Sequence, residues 1–234
     1  GKRNSMNFRP LSIILEAFSI LTEKLEFIII PSIIFFLIKE SGNIPHFLGI
    51  QIPETLEKVL YLLIFLSLKW ISLGTLIYFL KLAREEKPDI ADIFLIDWIT
   101  LKRCLPLLLV VSIFFELANT AATLGLHHSG FPKLSAISQV LIPFIGSGIY
   151  GIAMLFCLDR KDGMLEALKN TFKFQGWRIY ELYLILCLPL LEAQFSPDMT
   201  YDFIVLLTAP QSSIMLALYY LEITSEETQT ESLS

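Results

Sequence analysis

Charged residues are scarce in this sequence. Asp, Glu, Lys and Arg make up 18% of its 234 residues, whereas a soluble domain carries roughly a quarter. Long apolar stretches contain few charged residues, and residues 136–158 and 203–221 contain none. Since about 20 apolar residues cross a bilayer as one helix, this pattern argues against a soluble domain and predicts a membrane protein.

The usual motifs of catalysis and metal binding are also missing. The sequence contains no HExxH, GxSxG, Walker A loop or GxGxxG. Its three histidines and three cysteines show no spacing that would bind a metal. We therefore expect neither an enzyme nor a cofactor. The basic residues flank apolar stretches, so membrane lipid is the expected partner rather than nucleic acid.

Six apolar segments predict an all-α integral membrane protein with about six transmembrane helices. Four segments are long enough to span alone, namely 59–80, 104–126, 136–158 and 203–221. Two shorter segments that contain proline, 27–38 and 182–191, either span as parts of longer helices or are re-entrant. Spanning is favoured because the basic residues then fall into a consistent pattern.

The distribution of basic residues predicts the orientation. Of the 18 Lys and Arg residues, all lie before the first span or in alternate loops except Lys39, Lys58, Lys69 and Lys133. Short loops that are rich in Lys and Arg remain in the cytoplasm. Both termini are therefore predicted to be cytoplasmic.

The chain is predicted to contain three copies of one unit. Ala17, Ala91 and Ala167 occupy similar positions in similar segments, about 75 residues apart. Each unit consists of an amphipathic helix followed by a hairpin of two spans, and the units cover about 9–83, 84–159 and 160–222. They form a single membrane domain, 6–222, and an acidic, disordered tail is expected at 223–234.

The amphipathic segments have apolar residues on one helical face. Leu11, Leu15 and Phe18 form this face in the first unit, and Leu165 and Phe172 belong to it in the third. These segments either lie in the headgroup layer, as we expect, or simply extend the following span into the cytoplasm. The candidate contacts to lipid headgroups are the basic residues nearby: Arg84, Lys102, Arg103, Arg160, Lys169, Lys173 and Arg178.

With its LEAF and LEAL segments and its basic loops leading into amphipathic helices, the chain resembles six-span bacterial membrane families. One is the YciC-like group, and another is the membrane domain attached to glycerophosphodiester phosphodiesterases. The resemblance covers residues 9–222. It implies the six-span fold and a bacterial inner-membrane location, and it implies no particular activity.

Several polar residues are predicted to lie at one depth inside the membrane. Lys69 and Glu116 are each roughly 18–20 Å from the inner boundary at 1.5 Å per residue, and an ion pair between them is our hypothesis. The candidate intramembrane polar site consists of Lys69, Glu116, Asn119, Ser147 and Gln211. These residues line a cavity or pathway, or they serve helix packing, which is the favoured interpretation for residues 146–151.

Two functions are therefore carried forward. The leading hypothesis is a non-enzymatic inner-membrane protein that binds lipid or a partner protein through its interfacial helices. The alternative is a small transporter or channel with a polar site at the membrane midplane. A protein partner and a second copy of the chain are both compatible with the sequence.

Overall fold

The regular secondary structure of the described part of the chain is all helical. A computed structural model describes residues 9–174, 211 and 213–225, and these ranges contain no strand. Four helical stretches are long and apolar enough to cross a membrane, namely Leu25–Phe47, Glu54–Ala83, Trp98–His128 and Pro132–Asp159. By length and composition they define a membrane protein.

From α1 to α8 the helices follow each other with short connections. In chain order they are α1 (Arg9–Glu23), α2 (Leu25–Glu40), α3 (Ile44–Phe47), α4 (Glu54–Ala83), α5 (Ala91–Phe94), α6 (Trp98–His128), α7 (Pro132–Asp159), α8 (Met164–Phe174) and α9 (Ser213–Ser225). A 3₁₀ turn at Ser41–Asn43 joins α2 to α3.

Local chemistry sets the limits of the α6–α7 hairpin. Asp97 caps the start of α6, because its carboxylate accepts a hydrogen bond of 3.1 Å from the backbone N–H of Thr100. That hydrogen bond lowers the pKa of Asp97. After α6 the chain turns at Gly130, where φ is +81°, and Pro132 then begins α7 at a position where no backbone N–H is needed.

Small residues let the helices approach closely. A Cβ at Gly146 of α7 would lie 2.6 Å from the ring of Phe115 in α6, and one at Gly151 would lie 2.8 Å from the side chain of Leu216 in α9. Both glycines are thus at tight helix contacts, which agrees with the packing interpretation of residues 146–151.

The short helix α5 packs against α4 and is held there by a hydrogen bond and an ion pair. The indole N–H of Trp70 donates to the carbonyl oxygen of Phe94 at 2.9 Å, and Lys81 forms a 2.8 Å ion pair with Asp92. Gly74 makes the close approach possible, because a Cβ there would collide with the carbonyl group of Ile93.

The buried core lies towards the end of the bundle where α4 and α7 finish and α6 begins. Tyr78, Phe156 and Tyr220 are fully buried, and the rings of Phe156 and Tyr220 meet edge to face at 5.1 Å. The first half of α4 instead exposes apolar side chains such as Tyr61 and Phe65. One end of the bundle is therefore closely packed, and the other presents apolar surface.

Four of the predicted spans lie in helical stretches that are long and apolar enough to cross a membrane, and these stretches extend beyond them. Segments 27–38, 59–80, 104–126 and 136–158 lie within the four membrane-spanning candidates. The predicted span 182–191 lies outside the described residues, as does most of 203–221 before α9. The six-span, three-repeat layout therefore stays a prediction.

Two boundaries differ from expectation. In place of a long amphipathic helix in the second unit, the chain forms only the four-residue α5, because Asp97 caps α6 and starts it soon afterwards. The acidic tail was expected from residue 223, yet Ile223 is buried and α9 continues to Ser225. Residues 226–234 lie outside the described part of the chain.

Candidate functional site

Four helix ends meet at the packed end of the bundle. Arg84 at the end of α4 donates a hydrogen bond of 2.8 Å to the carboxylate of Asp159 at the end of α7. This hydrogen bond raises the pKa of Arg84. The Tyr78 hydroxyl donates a hydrogen bond of 2.8 Å to the carbonyl oxygen of Phe27 at the start of α2. Arg103 near the start of α6 reaches the carbonyl of Cys157 at 3.5 Å. We call this region the basic end.

Helix α8 presents three different faces. Ala167 and Thr171 are completely buried and pack towards α7. Leu165 and Phe172 point away from the protein, with 76% and 61% of their surfaces exposed. Glu166 and Lys173 lie on a third, exposed face, and exposed Lys169 lies between that face and the apolar one. An exposed apolar face beside an exposed charged face is the arrangement of a helix at a membrane surface.

Helix α1 repeats this arrangement. Ile13 and Ala17 are buried, and Leu11, Leu15 and Phe18 are exposed. The polar residues Ser12, Glu16, Ser19 and Glu23 follow at helical spacing on a third, exposed face. Unlike α8, this polar face carries carboxylates and hydroxyls but no lysine.

The candidate headgroup contacts differ in how accessible they are. Lys102, Lys169 and Lys173 are exposed. Arg160 is also exposed and lies 5.5 Å from the centre of the Phe156 ring. Arg84 and Arg103 are engaged with Asp159 and Cys157 as described above. Arg178 lies outside the described residues.

A small cavity of about 260 Å³ also opens at the basic end. Its charged walls are Lys81, Arg84, Glu86, Asp97 and Asp159. Lys81 and Arg84 already form ion pairs with carboxylates, so the cavity has no excess positive charge. The exposed lysines outside it are better placed to contact lipid phosphate.

A larger cavity of about 480 Å³ lies between α4, α6 and α7, within the length of the candidate spans. Three of the five residues of the predicted polar site line it, namely Lys69, Glu116 and Asn119. The other walls are mostly apolar, and Phe65, Gly146 and Tyr150 contribute to them. Such a volume with a few converging polar groups is typical of a small-molecule site.

Lys69 and Glu116 face the same cavity without touching. No direct ion pair joins them among the described residues; the Lys69 ammonium lies 5.5 Å from the centre of the Phe65 ring. The Glu116 carboxylate still acts on this ammonium electrostatically. The two charges therefore lie on different helices, α4 and α6, that line one cavity.

Two further polar groups of the cavity lack a partner. The side-chain oxygen of Asn119 and the hydroxyl of Tyr150 are buried and form no hydrogen bond with any described residue, although Tyr150 lies near Ser72. Unpaired polar atoms inside a protein are costly and need an explanation. The sequence analysis missed Tyr150, which the helical spacing of Pro143, Gly146 and Tyr150 could have indicated.

The remaining predicted polar residues are not part of this cavity as described. Gln211 is buried but is not among the residues that line the cavity. Ser147 belongs to α7, and its side chain lies outside the described part of the structure.

The comparisons with known proteins add no relative. No protein-family model, curated protein or solved structure matches the chain. Within the described residues, no group of three or more His, Cys, Asp or Glu side chains could hold a metal ion. The candidate sites are thus defined by geometry alone: the amphipathic helices with the basic end, and the intramembrane cavity.

Proposed function

We propose that this chain is a non-enzymatic, multi-pass membrane protein whose helices α1 and α8 lie in the headgroup layer and whose exposed lysines at the basic end bind anionic lipid. The observation that carries this proposal is the apolar face that each helix turns away from the protein. In water, exposed Leu15, Leu165 and Phe172 would be unfavourable. In the headgroup layer they bury apolar area, and the exposed lysines of α6 and α8, namely Lys102, Lys169 and Lys173, contact lipid phosphate.

We further propose the full layout inferred from the sequence: six spans in three repeats, in a bacterial inner membrane, with both termini in the cytoplasm. Support comes from the basic residues gathered at one end of the described bundle. A cysteine at position 129, in the turn after α6, should then react with an impermeant thiol reagent in intact cells. A cysteine at exposed position 87 should react only after permeabilisation, and the reverse pattern contradicts the orientation.

The lipid-binding proposal is tested by extracting the protein in native lipid discs and measuring the bound lipid by mass spectrometry. We expect anionic lipid to be enriched over a control membrane protein. Changing exposed Lys102 and Lys169 to Gln should reduce that enrichment, since each lysine near the surface contributes about 1 kcal/mol.

The matched control is Lys58→Gln with Lys133→Gln, which removes the same charge at the opposite end of the bundle. This control should leave the lipid composition unchanged. Equal losses from both double variants, or no enrichment at all, would contradict specific binding at the basic end. A stoichiometric protein that co-purifies instead would favour partner binding through the same helices.

A second candidate function is transport of a small solute through a midplane site. It is favoured by the cavity and its unpaired polar atoms, because polar groups inside membranes mark solute pathways. If the cavity has access to water, Asn119→Cys should react with a water-soluble thiol reagent. Absence of any reaction from either side of the membrane would count against transport.

A further inference from the structure

The intramembrane cavity separates one positive and one negative charge. Lys69 offers three N–H donors from α4, and Glu116 offers two acceptor oxygens from α6. A charge inside a membrane is costly unless it is paired. Since the two do not form a direct pair, a molecule that carries both charges satisfies both walls at once.

The unpartnered polar atoms add direction to this arrangement. Asn119 follows Glu116 by three residues and lies on the same face of α6. Its buried side-chain oxygen accepts hydrogen bonds but cannot donate them. The α6 wall is therefore suited to bind an ammonium or another N–H donor, and the α4 wall is suited to bind an anionic acceptor.

Most of the remaining lining is apolar. Leu109, Ile113, Phe115 and Leu117 surround the polar groups, so the body of the ligand must be apolar as well. A volume of about 480 Å³ falls within the range of small-molecule sites.

We propose that this cavity binds a zwitterion with an apolar body, its anionic group at Lys69 and its ammonium at Glu116 and Asn119. The inference rests on the cavity of the second candidate function, but it requires binding only and no transport.

A polar stripe along α6 leads from the cavity towards one end of the bundle. It consists of Ser112, Glu116, Asn119 and Thr123 and leads towards His127 at the end of α6. In the other direction α6 packs through its buried residues Cys104, Leu107 and Val111, next to the core at the basic end. A water-soluble zwitterion would follow the polar stripe, whereas a lipid would enter between α4 and α6 from the bilayer.

The test uses the full chain in a non-ionic detergent and three probes. Lysophosphatidylethanolamine carries both charges and an apolar chain, lysophosphatidylglycerol carries the same chain without the ammonium, and leucine is a water-soluble zwitterion. Dissociation constants are measured by native mass spectrometry and calorimetry. We expect at least one of the two zwitterions to bind at least tenfold more tightly than lysophosphatidylglycerol. Preference for the lysolipid identifies a lipid source, and preference for leucine a soluble one.

Variants of the cavity decide where the ligand sits. Lys69→Met, Glu116→Gln and Asn119→Leu should each weaken zwitterion binding at least tenfold. The controls Lys58→Met and Glu57→Gln change exposed charges on the first turns of α4, outside the cavity, and should not weaken it. Melting curves identify any variant that fails to fold. Because three variants on two helices are used, one unstable protein leaves the test intact.

Equal binding of lysophosphatidylglycerol, or unchanged affinity in the folded cavity variants, would overturn the zwitterion proposal. So would the failure of both zwitterions to bind. None of these results decides the second candidate function, because the reactivity of Asn119→Cys tests water access independently of ligand class.

Discussion

Arg84 and Asp159, which are 75 residues apart in the chain, join the ends of α4 and α7 through a hydrogen bond of 2.8 Å. The same oxygen of Asp159 also accepts a 2.8 Å hydrogen bond from the hydroxyl of Tyr220 in α9. One carboxylate thus connects α4, α7 and α9 at the basic end. Since both partners converge on a half-buried group, its charge should matter for the stability of the whole bundle.

The first prediction concerns this carboxylate. Asp159→Asn keeps the shape of the side chain but removes its charge, so both hydrogen bonds lose their charged acceptor. We expect the protein to be destabilised by about 1–3 kcal/mol, measured by thermal unfolding in detergent. Glu57→Gln, at an exposed position on α4, is the control and should have little effect.

A double-mutant cycle makes that test sharper. Asp159→Asn and Tyr220→Phe remove the two ends of one contact, so their effects should fall short of additivity by about 0.5 kcal/mol or more. Full additivity would mean that the hydrogen bond between these residues contributes nothing to stability.

The second prediction compares two glycines inside helices. Gly74→Ala places a methyl group against the carbonyl of Ile93 and must push α5 away from α4, so a loss of about 1–3 kcal/mol is expected. Gly125→Ala in α6 meets no atom within 4 Å and should be neutral or stabilising by up to about 1 kcal/mol. Thermal unfolding of both variants checks the contrast, and equal effects would contradict the docking of α5.

The third prediction concerns pH. Burial disfavours the charged form of Asp92, but hydrogen bonds from Lys81 and from the N–H of Asp89 outweigh it and hold the pKa of Asp92 below its ordinary value. A carboxylate with a lowered pKa stabilises the fold above its unfolded pKa, and this contribution is lost as the pH falls through the folded pKa. The stabilisation should therefore be complete at pH 7 and should fade below about pH 4.

Asp92→Asn isolates this effect. At pH 7 the variant should be less stable than the wild type by about 0.5–1 kcal/mol, because the ion pair is partly exposed. At pH 3 the difference should shrink, as measured by thermal unfolding at both pH values. A difference that stays constant with pH would show that the pair does not stabilise the fold through its charge.

The long helices could be predicted from the sequence because their signal is local. An apolar run such as 136–158 is too long for a strand and too apolar for a loop, and the structure places it in a single helix. The short α5 could not be predicted, because its docking depends on Gly74 and Trp70 in α4. Propensity within residues 84–97 does not reveal contacts made by a helix earlier in the chain.

The candidate cavity was predictable only in part. Counting residues from the basic ends placed Lys69 and Glu116 at one depth, and the structure brings both to one cavity. The rotation of each helix decides whether two such groups touch, and depth alone carries no information about rotation. The spacing of Pro143, Gly146 and Tyr150 places these residues on one face of α7, but the sequence does not show that this face meets α6.

The central claim is that α8 lies in the headgroup layer with its apolar face in lipid. The most direct measurement attaches a spin label singly at positions 165, 166 and 172 in liposomes. It compares how readily oxygen, which concentrates in lipid, and a water-soluble nickel complex reach each label. We predict high oxygen access at 165 and 172 and high nickel access at 166, which lies about a quarter-turn away from the apolar face. Preferential nickel access at all three positions would show a helix extended into water and would contradict the account.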